Sequence, residues 1–423
     1  MKGFEAVAWA LKNSADTIYT VPGYPVTEIG DLLRVETVVN EKTALEYALG
    51  DSLSGRRSAV LVKNVGMNAL ADPLINATTQ GLISGVVVVA GDDPEALFSQ
   101  NAQDSRYYGE LAMAPVVEPD EKTIFTGFSA AFEASERFSR IAIVRLTPSL
   151  LKSEVAFEDT VQVLRNGRLA DTDLTIAGRV TRAEKGTAGL FAWTKQSPLN
   201  QLRGGDIGVG MAKGDSQVII PYPPPQLPPG SRIIEIGRPF LREHHQLLPP
   251  AVGRSSERFS DRGFYRTCCP DCPYTPLLSL LKAKKMKVIP DIGCALLSMN
   301  PPYSIGVASY CLGSSVAVAA RSTCIALIGD GALLHSGLTS LIDCHAKGYP
   351  LLVIVLANQR MAMTGGQPVS DICQYLEWAE PLVIPAEDTK TLEDVLSVPE
   401  EGQKVLIIQG RCPEDAAYEK VEC

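Results

Sequence analysis

The chain has 423 residues, 45% of them hydrophobic, with 39 Lys or Arg against 48 Asp or Glu and a net charge of −9. This length suits two or three domains. An acidic chain without a block of Lys or Arg lacks the clustered positive charge that nucleic-acid binding requires. The longest apolar runs, such as 85–90, are far shorter than a bilayer span, and no basic-then-apolar leader opens the chain. We therefore expect a soluble cytoplasmic protein that binds neither nucleic acid nor membrane.

The first 150 residues alternate helical stretches with short apolar strands. Strands are predicted at 16–20, 58–63, 84–91 and 140–146. Continuous apolar strands separated by helices are typical of a parallel sheet covered on both faces. Val35 to Val39 is also strand-like, and a helix begins after it at Glu41. Residues 1–150 are predicted to form one α/β domain.

The middle of the chain, residues 151–265, is more polar and less periodic. Six prolines among residues 221–230 exclude a helix or a central strand there, and 231–237 is strand-like. Residues 266–423 return to the α/β pattern, with strands predicted at 287–290, 323–328, 350–357 and 404–409. The predicted fold class is α/β, with two parallel-sheet α/β domains joined by a shortened middle domain.

Polar side chains follow two strands of the last domain. Asp330 lies between Gly329 and Gly331 directly after one apolar strand, and Asn358 follows the next. Carboxylate and amide oxygens, with a backbone carbonyl that we assign to Arg360, suit Mg²⁺, which also takes phosphate oxygens. The glycines let backbone N–H groups approach those phosphates. The pattern is typical of sites that hold the diphosphate of thiamine diphosphate, although Gly-Asp-Gly by itself is also an ordinary turn between strands.

Thiamine chemistry needs a second group, a carboxylate that hydrogen-bonds the pyrimidine ring so that the cofactor itself can remove its C2 proton. This carboxylate must come from a domain other than the one that grips the diphosphate. Glu41, at a predicted helix N-terminus, is the candidate. The alternative is that Glu41 only stabilises the helix dipole. Glu46, one turn deeper, is a rival that fits a packing role better.

These features occur among blocks that together resemble the large subunit of indolepyruvate ferredoxin oxidoreductase, in the 2-oxoacid:ferredoxin oxidoreductase superfamily. The blocks are 20–27, 41–50, 63–73, 92–94, 99–106, 269–273, 291–294, 329–331, 335–337 and 362–368. So many segments in the family's order make the resemblance specific. It implies a pyrimidine-binding domain (1–150), an abbreviated middle domain (151–265), a diphosphate-binding domain (266–423) and a homodimer.

The resemblance also implies roles for individual residues. Cofactor contacts are expected from Gly23, Tyr24, Pro25, Asn68, Gly293, Gly313, Gly329, Asp330, Gly331, Asn358, Thr364, Gly365, Gly366 and Gln367. Thr27 is expected near the substrate, with Glu41 and His335 as the other catalytic candidates. His335 is suited to handling a proton, although helix capping or packing would account for it equally well.

Ten cysteines in a chain without a secretion signal indicate thiols rather than a disulfide framework. Cys269 and Cys272 form a Cys-x-x-Cys pair, a common beginning of iron–sulfur ligation. The resemblance adds Cys294 and Cys412 as the remaining ligands of a [4Fe–4S] cluster. Four thiolates also suit a structural zinc, and unligated packing thiols are a third reading. Alternative ligands are Cys268, by a shift of register, and Cys311 or Cys373.

The activity that the resemblance implies is oxidative decarboxylation of a 2-oxoacid of the aryl pyruvate type. Electrons would leave one at a time to an iron–sulfur acceptor, with a small oxidoreductase subunit and ferredoxin as partners. The sequence ends at Cys423 without the ferredoxin-like domain of the family's large subunit. Two alternatives are therefore a non-oxidative thiamine diphosphate-dependent 2-oxoacid decarboxylase and a non-catalytic scaffold subunit. Intact Glu41, Asp330 and Asn358 argue against the scaffold.

Overall fold

The computed structural model describes residues 1–197, 199, 207–210, 233–236, 257–413 and 419–423. Contacts divide the chain into two compact units, the first made of 1–170 with 176–256 and the second of 171–175 with 257–423. Each contains a five-stranded sheet whose pairings are all parallel. The predicted fold class is thus confirmed. Part of the predicted middle domain, 151–265, lies outside the described residues, and this domain stays a prediction.

The sheet of the first unit has the strand order β1-β2-β3-β5-β4. Its strands are β1 (Thr17–Thr20), β2 (Ser58–Lys63), β3 (Val86–Gly91), β4 (Val116–Val117) and β5 (Ala142–Leu146). All six residues of β3 are buried, as a central strand covered on both faces requires. The predicted strand at 35–39 is wrong, since the backbone there makes a single bridge, between Thr20 and Thr37.

Helices connect these strands and supply most of the apolar side chains that pack on the sheet. They are α1 (Gly3–Ser14), α2 (Thr27–Leu33), α3 (Glu41–Leu53), α4 (Gly66–Gln80), α5 (Tyr107–Ala112), α6 (Ile124–Phe138), α7 (Pro148–Lys152) and α8 (Ile176–Gln196). A parallel pair follows, β6 (Ile207–Gly210) with β7 (Ile233–Ile236). The strand predicted at 231–237 is therefore present over its described residues, 233–236.

The second unit has the strand order β14-β15-β11-β10-β9. Its strands are β8 (Phe264–Arg266), β9 (Ile289–Pro290), β10 (Ile325–Gly329), β11 (Leu351–Ala357), β12 (Arg360–Met361), β13 (Gln367–Pro368), β14 (Leu382–Pro385), β15 (Gln403–Gln409) and β16 (Lys420–Glu422). Two antiparallel pairs, β8 with β16 and β12 with β13, lie outside the main sheet. All seven residues of β11 are buried, which places this strand in the core.

The helices of the second unit include one long interrupted segment. They are α9 (Phe259–Arg262), α10 (Thr275–Ala283), α11 (Ser315–Ala320), α12 (Asp330–Ala332), α13 (Leu338–Ala346), α14 (Cys373–Leu376) and α15 (Thr389–Val395), with 3₁₀ turns at Cys294–Met299 and Glu377–Ala379. A π-helical turn, Leu333–Gly337, joins α12 to α13. Such turns are frequent at functional sites. Among the described helices, none combines the length and apolar character needed to cross a membrane.

Candidate functional site

Asp330 lies where β10 ends and α12 begins, and its side chain is 3% exposed. One carboxylate oxygen accepts a hydrogen bond from the Gly331 N–H at 2.7 Å and the other accepts from the Gln359 N–H at 2.7 Å. Burial raises the pKa of this carboxyl group above its usual range, and backbone N–H groups oppose that rise. In the described part of the chain, no Lys or Arg forms an ion pair with Asp330. A divalent cation would supply the missing positive charge.

Asn358 follows β11, the strand beside β10. Because Gly329 pairs with Leu356 in the parallel register, both strands end at the same edge of the sheet. The Asn358 Oδ1 atom accepts from the Arg360 N–H at 3.0 Å. Asp330, Asn358 and Arg360 all line one open cavity of about 890 Å³. The three predicted Mg²⁺ ligands are therefore brought together, and the donor set of carboxylate, amide and carbonyl oxygens fits the ion.

The predicted glycine-rich turn at 364–367 connects β12 with β13. Within it, the Gln367 side chain donates to the Thr364 carbonyl at 2.8 Å, and both residues are exposed. Gly366 lines the cavity that Asp330 lines. His335 is exposed in the π-helical turn, with its Nδ1 atom 3.2 Å from the Ser336 hydroxyl. Neither His335 nor Thr364 is among the residues that line this cavity.

Asp291 is a buried carboxylate that sequence reasoning did not assign to the site. It follows β9, accepts from the Gly313 N–H at 2.8 Å and the Ser315 N–H at 3.0 Å, and is fully buried. Burial raises the pKa of its carboxyl group. Gly313 has φ +82°, and a Cβ there would lie 2.1 Å from the Ser336 hydroxyl. The backbone at Gly313 therefore lies close to both the Asp291 carboxylate and Ser336. An acidic residue immediately after a strand, as at Asp330, was the available signal.

Glu41 is the first residue of α3, as the sequence predicted, and its side chain is half-buried. A Cβ added at Gly66, the first residue of α4, would lie 2.6 Å from the Glu41 Oε1 atom. Gly66 therefore provides the space that the carboxylate occupies, which sequence reasoning did not anticipate. Glu46 is 1% exposed and forms an ion pair with Lys42, which accounts for it as a packing residue.

The turn after β1 holds the other candidates of the first unit. The Gly23 carbonyl accepts from the Thr27 N–H at 3.1 Å, and a Cβ at Gly23 would lie 2.7 Å from the Lys63 side chain. Pro25 follows Tyr24, whose ring packs edge-on against Phe98 with centroids 4.8 Å apart. The buried Tyr24 hydroxyl has no hydrogen-bond partner among the described residues.

The segment 92–106, which contains two of the blocks that carry the family resemblance, contacts α4 and the end of β2. Asn68 donates to the Gln103 side chain at 3.1 Å, and Asn64 donates to the Asn101 carbonyl at 3.1 Å. The Asn101 Oδ1 atom is buried without a partner in the described residues. Asn68 therefore contacts this segment rather than standing free at the helix surface.

Sequence reasoning also did not identify a charged cluster at the carboxyl ends of β3 and β5. Asp92 and Arg145 are in direct ion-pair contact, and Arg145 also pairs with Glu118. Asp104 lies 3.7 Å from Arg145 and 2.9 Å from Arg106. Burial raises the pKa of Asp104, but the guanidinium groups of Arg106 and Arg145 outweigh this effect and hold the pKa below its usual range. Opposite charges in this cluster largely neutralise one another.

The predicted cysteine ligands surround one small cavity of about 20 Å³, room for roughly one water-sized group. Its lining includes Cys268, Cys269, Cys272, Cys294, Cys412 and Asn358. A hydrogen bond from the Cys268 thiol lowers the pKa of Cys272 to about 7, while burial raises the pKa of Cys294 to about 12. Among the described residues, no three His, Cys, Asp or Glu side chains are placed to hold a single metal ion. Cys311 and Cys373 do not line the cavity.

Comparison with known proteins finds a family match in the second unit. Residues 278–382, which include Asp330 and Asn358, match the family "Thiamine pyrophosphate enzyme, C-terminal TPP binding domain"; thiamine pyrophosphate is another name for thiamine diphosphate. The chain is 25% identical to indolepyruvate oxidoreductase subunit IorA of Archaeoglobus fulgidus, over 86% of this chain and 75% of that protein. It is 26% identical to the Pyrococcus abyssi subunit of the same name, over 86% and 74%.

Solved structures share the fold. A putative thiamin diphosphate-dependent enzyme from Mycobacterium smegmatis superposes with a TM-score of 0.59 at 13% identity, covering 98% of this chain and 100% of that one. Benzoylformate decarboxylase from Polynucleobacter necessarius gives a TM-score of 0.59 at 12% identity, with 97% and 98% covered. At these identities the likeness concerns architecture alone.

Proposed function

We propose that this chain, which belongs to the thiamine diphosphate-dependent enzymes and is similar to indolepyruvate oxidoreductase subunit IorA, oxidatively decarboxylates an aryl 2-oxoacid. The observation that carries the proposal is the buried Asp330 carboxylate, whose hydrogen-bond partners are backbone N–H groups. It lies in a cavity that Asn358 and Arg360 also line. A carboxylate placed in this way suits the divalent cation that anchors a diphosphate.

Three oxygens would hold Mg²⁺, namely the Asp330 carboxylate, the Asn358 amide oxygen and the Arg360 carbonyl. The glycines at 365 and 366, both with positive φ, would let the backbone of this turn approach the cofactor. Thiamine diphosphate, when bound, supplies the carbon nucleophile that attacks the ketone of the substrate and allows CO₂ to leave. The protein's task is to bind, to orient and to exclude water.

Glu41 would hydrogen-bond the pyrimidine ring and so hold the proton needed to activate the cofactor. Support comes from its position at the start of α3 and from the space that Gly66 leaves for its carboxylate. Thr27, held by the Gly23 carbonyl, would orient the substrate. His335, exposed in the π-helical turn, would exchange a proton with it.

An iron–sulfur cluster, if held in the thiol cavity, would accept the electrons one at a time. The cysteine ligands of the proposal are Cys269, Cys272, Cys294 and Cys412, and all four line that cavity. A four-iron cluster is larger than this cavity, so the thiols would have to move apart to hold it. A zinc ion would instead need each sulfur at about 2.3 Å from the metal. The proposal also includes an iron–sulfur centre at this cavity, a small oxidoreductase subunit with ferredoxin as partners, and a homodimer.

The decisive experiment begins with anaerobic purification and an iron and sulfide assay, followed by removal of Mg²⁺ and thiamine diphosphate under conditions that leave an iron–sulfur cluster in place. Calorimetric titration with Mg²⁺ and thiamine diphosphate should show uptake that requires both. Indolepyruvate and phenylpyruvate should then reduce a viologen dye faster than pyruvate does, with iron and sulfide present in the purified protein. Absence of uptake would overturn the proposal. Uptake with aldehyde release, no iron and no dye reduction would identify a non-oxidative decarboxylase instead.

A further inference from the structure

Two residues line both the cation cavity and the thiol cavity. Asn358 and Cys412 each line the open cavity beside Asp330 and the small cavity between the thiols. The Asn358 Nδ2 atom donates a hydrogen bond to the Cys412 sulfur at 3.1 Å. We infer that Cys412 orients the Asn358 amide for the divalent cation, which couples the thiol cavity to the cation site. This inference rests on the proposed function.

The amide is held at both ends. Its Nδ2 end donates to the Cys412 sulfur, and its Oδ1 end accepts from the Arg360 N–H at 3.0 Å. A primary amide presents donors at one end and an acceptor at the other. Rotating it by half a turn would set N–H against N–H at Arg360 and oxygen against sulfur at Cys412. The two contacts therefore select one orientation, with the oxygen on the side of Arg360.

The contact with sulfur makes this orientation sensitive to the state of the thiol cavity. Outer partners that orient a metal ligand commonly change metal affinity by 10- to 100-fold. Asn358 and Cys412 are 54 residues apart in sequence, so the loop after β15 must close on the loop after β11 before the amide is fixed. Cys412 is accordingly a positioning residue for the cation site, in addition to any ligand role.

The test measures Mg²⁺ affinity calorimetrically at saturating thiamine diphosphate, in full-length protein freed of iron and zinc. Cys412→Ala should weaken Mg²⁺ binding about tenfold, because only the contact with the Arg360 N–H then favours the bound orientation of the amide. Cys412→Ser retains an acceptor and should restore most of the affinity. Cys268→Ala removes another thiol from the same cavity, one that forms no hydrogen bond with Asn358 among the described residues, and should leave Mg²⁺ affinity unchanged.

A double variant separates orientation from a general structural effect. In Asn358→Asp the side chain presents an oxygen in either orientation, so adding Cys412→Ala should no longer weaken Mg²⁺ binding. The difference between the effects of Cys412→Ala in the two backgrounds is the coupling that a double-mutant cycle measures. Equal affinities for Cys412→Ala and Cys268→Ala, failure of Cys412→Ser to rescue, or a penalty that persists in the Asn358→Asp background would each overturn the inference. Wild-type protein that binds no Mg²⁺ with thiamine diphosphate would instead overturn the proposed function, and this inference with it.

Discussion

The two sheets treat buried carboxylates differently, although both are parallel and both place charged side chains near the carboxyl ends of their strands. In the first unit, Asp92 and Asp104 lie within ion-pair range of Arg145, and all three are buried. In the second unit, Asp330 is equally buried, but the groups that favour its charge are backbone N–H groups. The charges of the first cluster neutralise one another, whereas Asp330 keeps a negative charge that is available to a ligand.

This contrast separates structural from functional charge. A buried ion-pair cluster that already satisfies its members contributes to a defined fold and offers little to a ligand. A buried carboxylate beside a cavity, with a raised pKa and no cationic partner in the described residues, is typical of a binding site. Burial alone therefore does not indicate function, because the partners of each carboxylate decide what it can do.

The largest effect is expected from removing the cation of the neutralised cluster. Arg145→Met leaves Asp92, Asp104 and Glu118 close together without their shared guanidinium. Breaking a buried pair in this way typically costs about 3–5 kcal/mol, which urea denaturation would detect as a lower midpoint. Arg165→Met, which breaks the exposed contact with Glu133, should change the midpoint far less. Equal midpoints for the two variants would remove the contrast.

Asp330→Ala should have the next largest effect, on binding instead of stability. Loss of the only carboxylate proposed as a Mg²⁺ ligand should weaken binding of Mg²⁺ with thiamine diphosphate by about 100-fold. The matched control is Asp343→Ala, since Asp343 is buried in the same unit and paired with Lys347. Calorimetry should give wild-type affinity for the control. Unchanged affinity in Asp330→Ala would show that this carboxylate is not the cation ligand.

Gly66→Ala should give a smaller loss that bears on Glu41. The added methyl group would lie 2.6 Å from the Glu41 Oε1 atom, so the carboxylate must move. Displacing a catalytic group by this much should lower kcat about tenfold while Mg²⁺ affinity stays near wild type. Gly189→Ala, at an exposed position of helix α8 where the nearest neighbour of the added methyl group is at 3.5 Å, should leave kcat unchanged. If kcat of Gly66→Ala equals that of Gly189→Ala, Glu41 has no such role.

The smallest effect concerns pH. Because the folded-state pKa of Asp104 is below its usual value of 3.8, its ionised form stabilises the fold above that value. This contribution is lost as pH falls from 3.8 through the lower folded-state pKa. Urea midpoints of wild type and Asp104→Asn should therefore differ at pH 7 and converge as pH falls from 3.8 to below the folded-state pKa. A difference that stays constant with pH would mean that Asp104 acts through packing rather than charge.

Local patterns predicted much of the fold and part of the site. Runs such as Val86–Gly91 and Leu351–Ala357 are strands because continuous β-branched and apolar residues suit a doubly covered sheet. Asp330 could be identified from the sequence because it is a charged residue in a glycine turn directly after an apolar strand. Val35–Val39 failed as a strand, because short apolar character does not by itself supply a pairing partner.

The sequence by itself determined the two α/β units, the strand ends at Asp330 and Asn358, and the helix start at Glu41, because these depend on periodicity, turns and caps within a few residues. Tertiary structure alone decided which groups meet. Asp92 reaches Arg145 across 53 residues and Asn358 reaches Cys412 across 54. Such contacts depend on strand register and on how loops close over the sheet edge, and neither is encoded in any short segment of the chain.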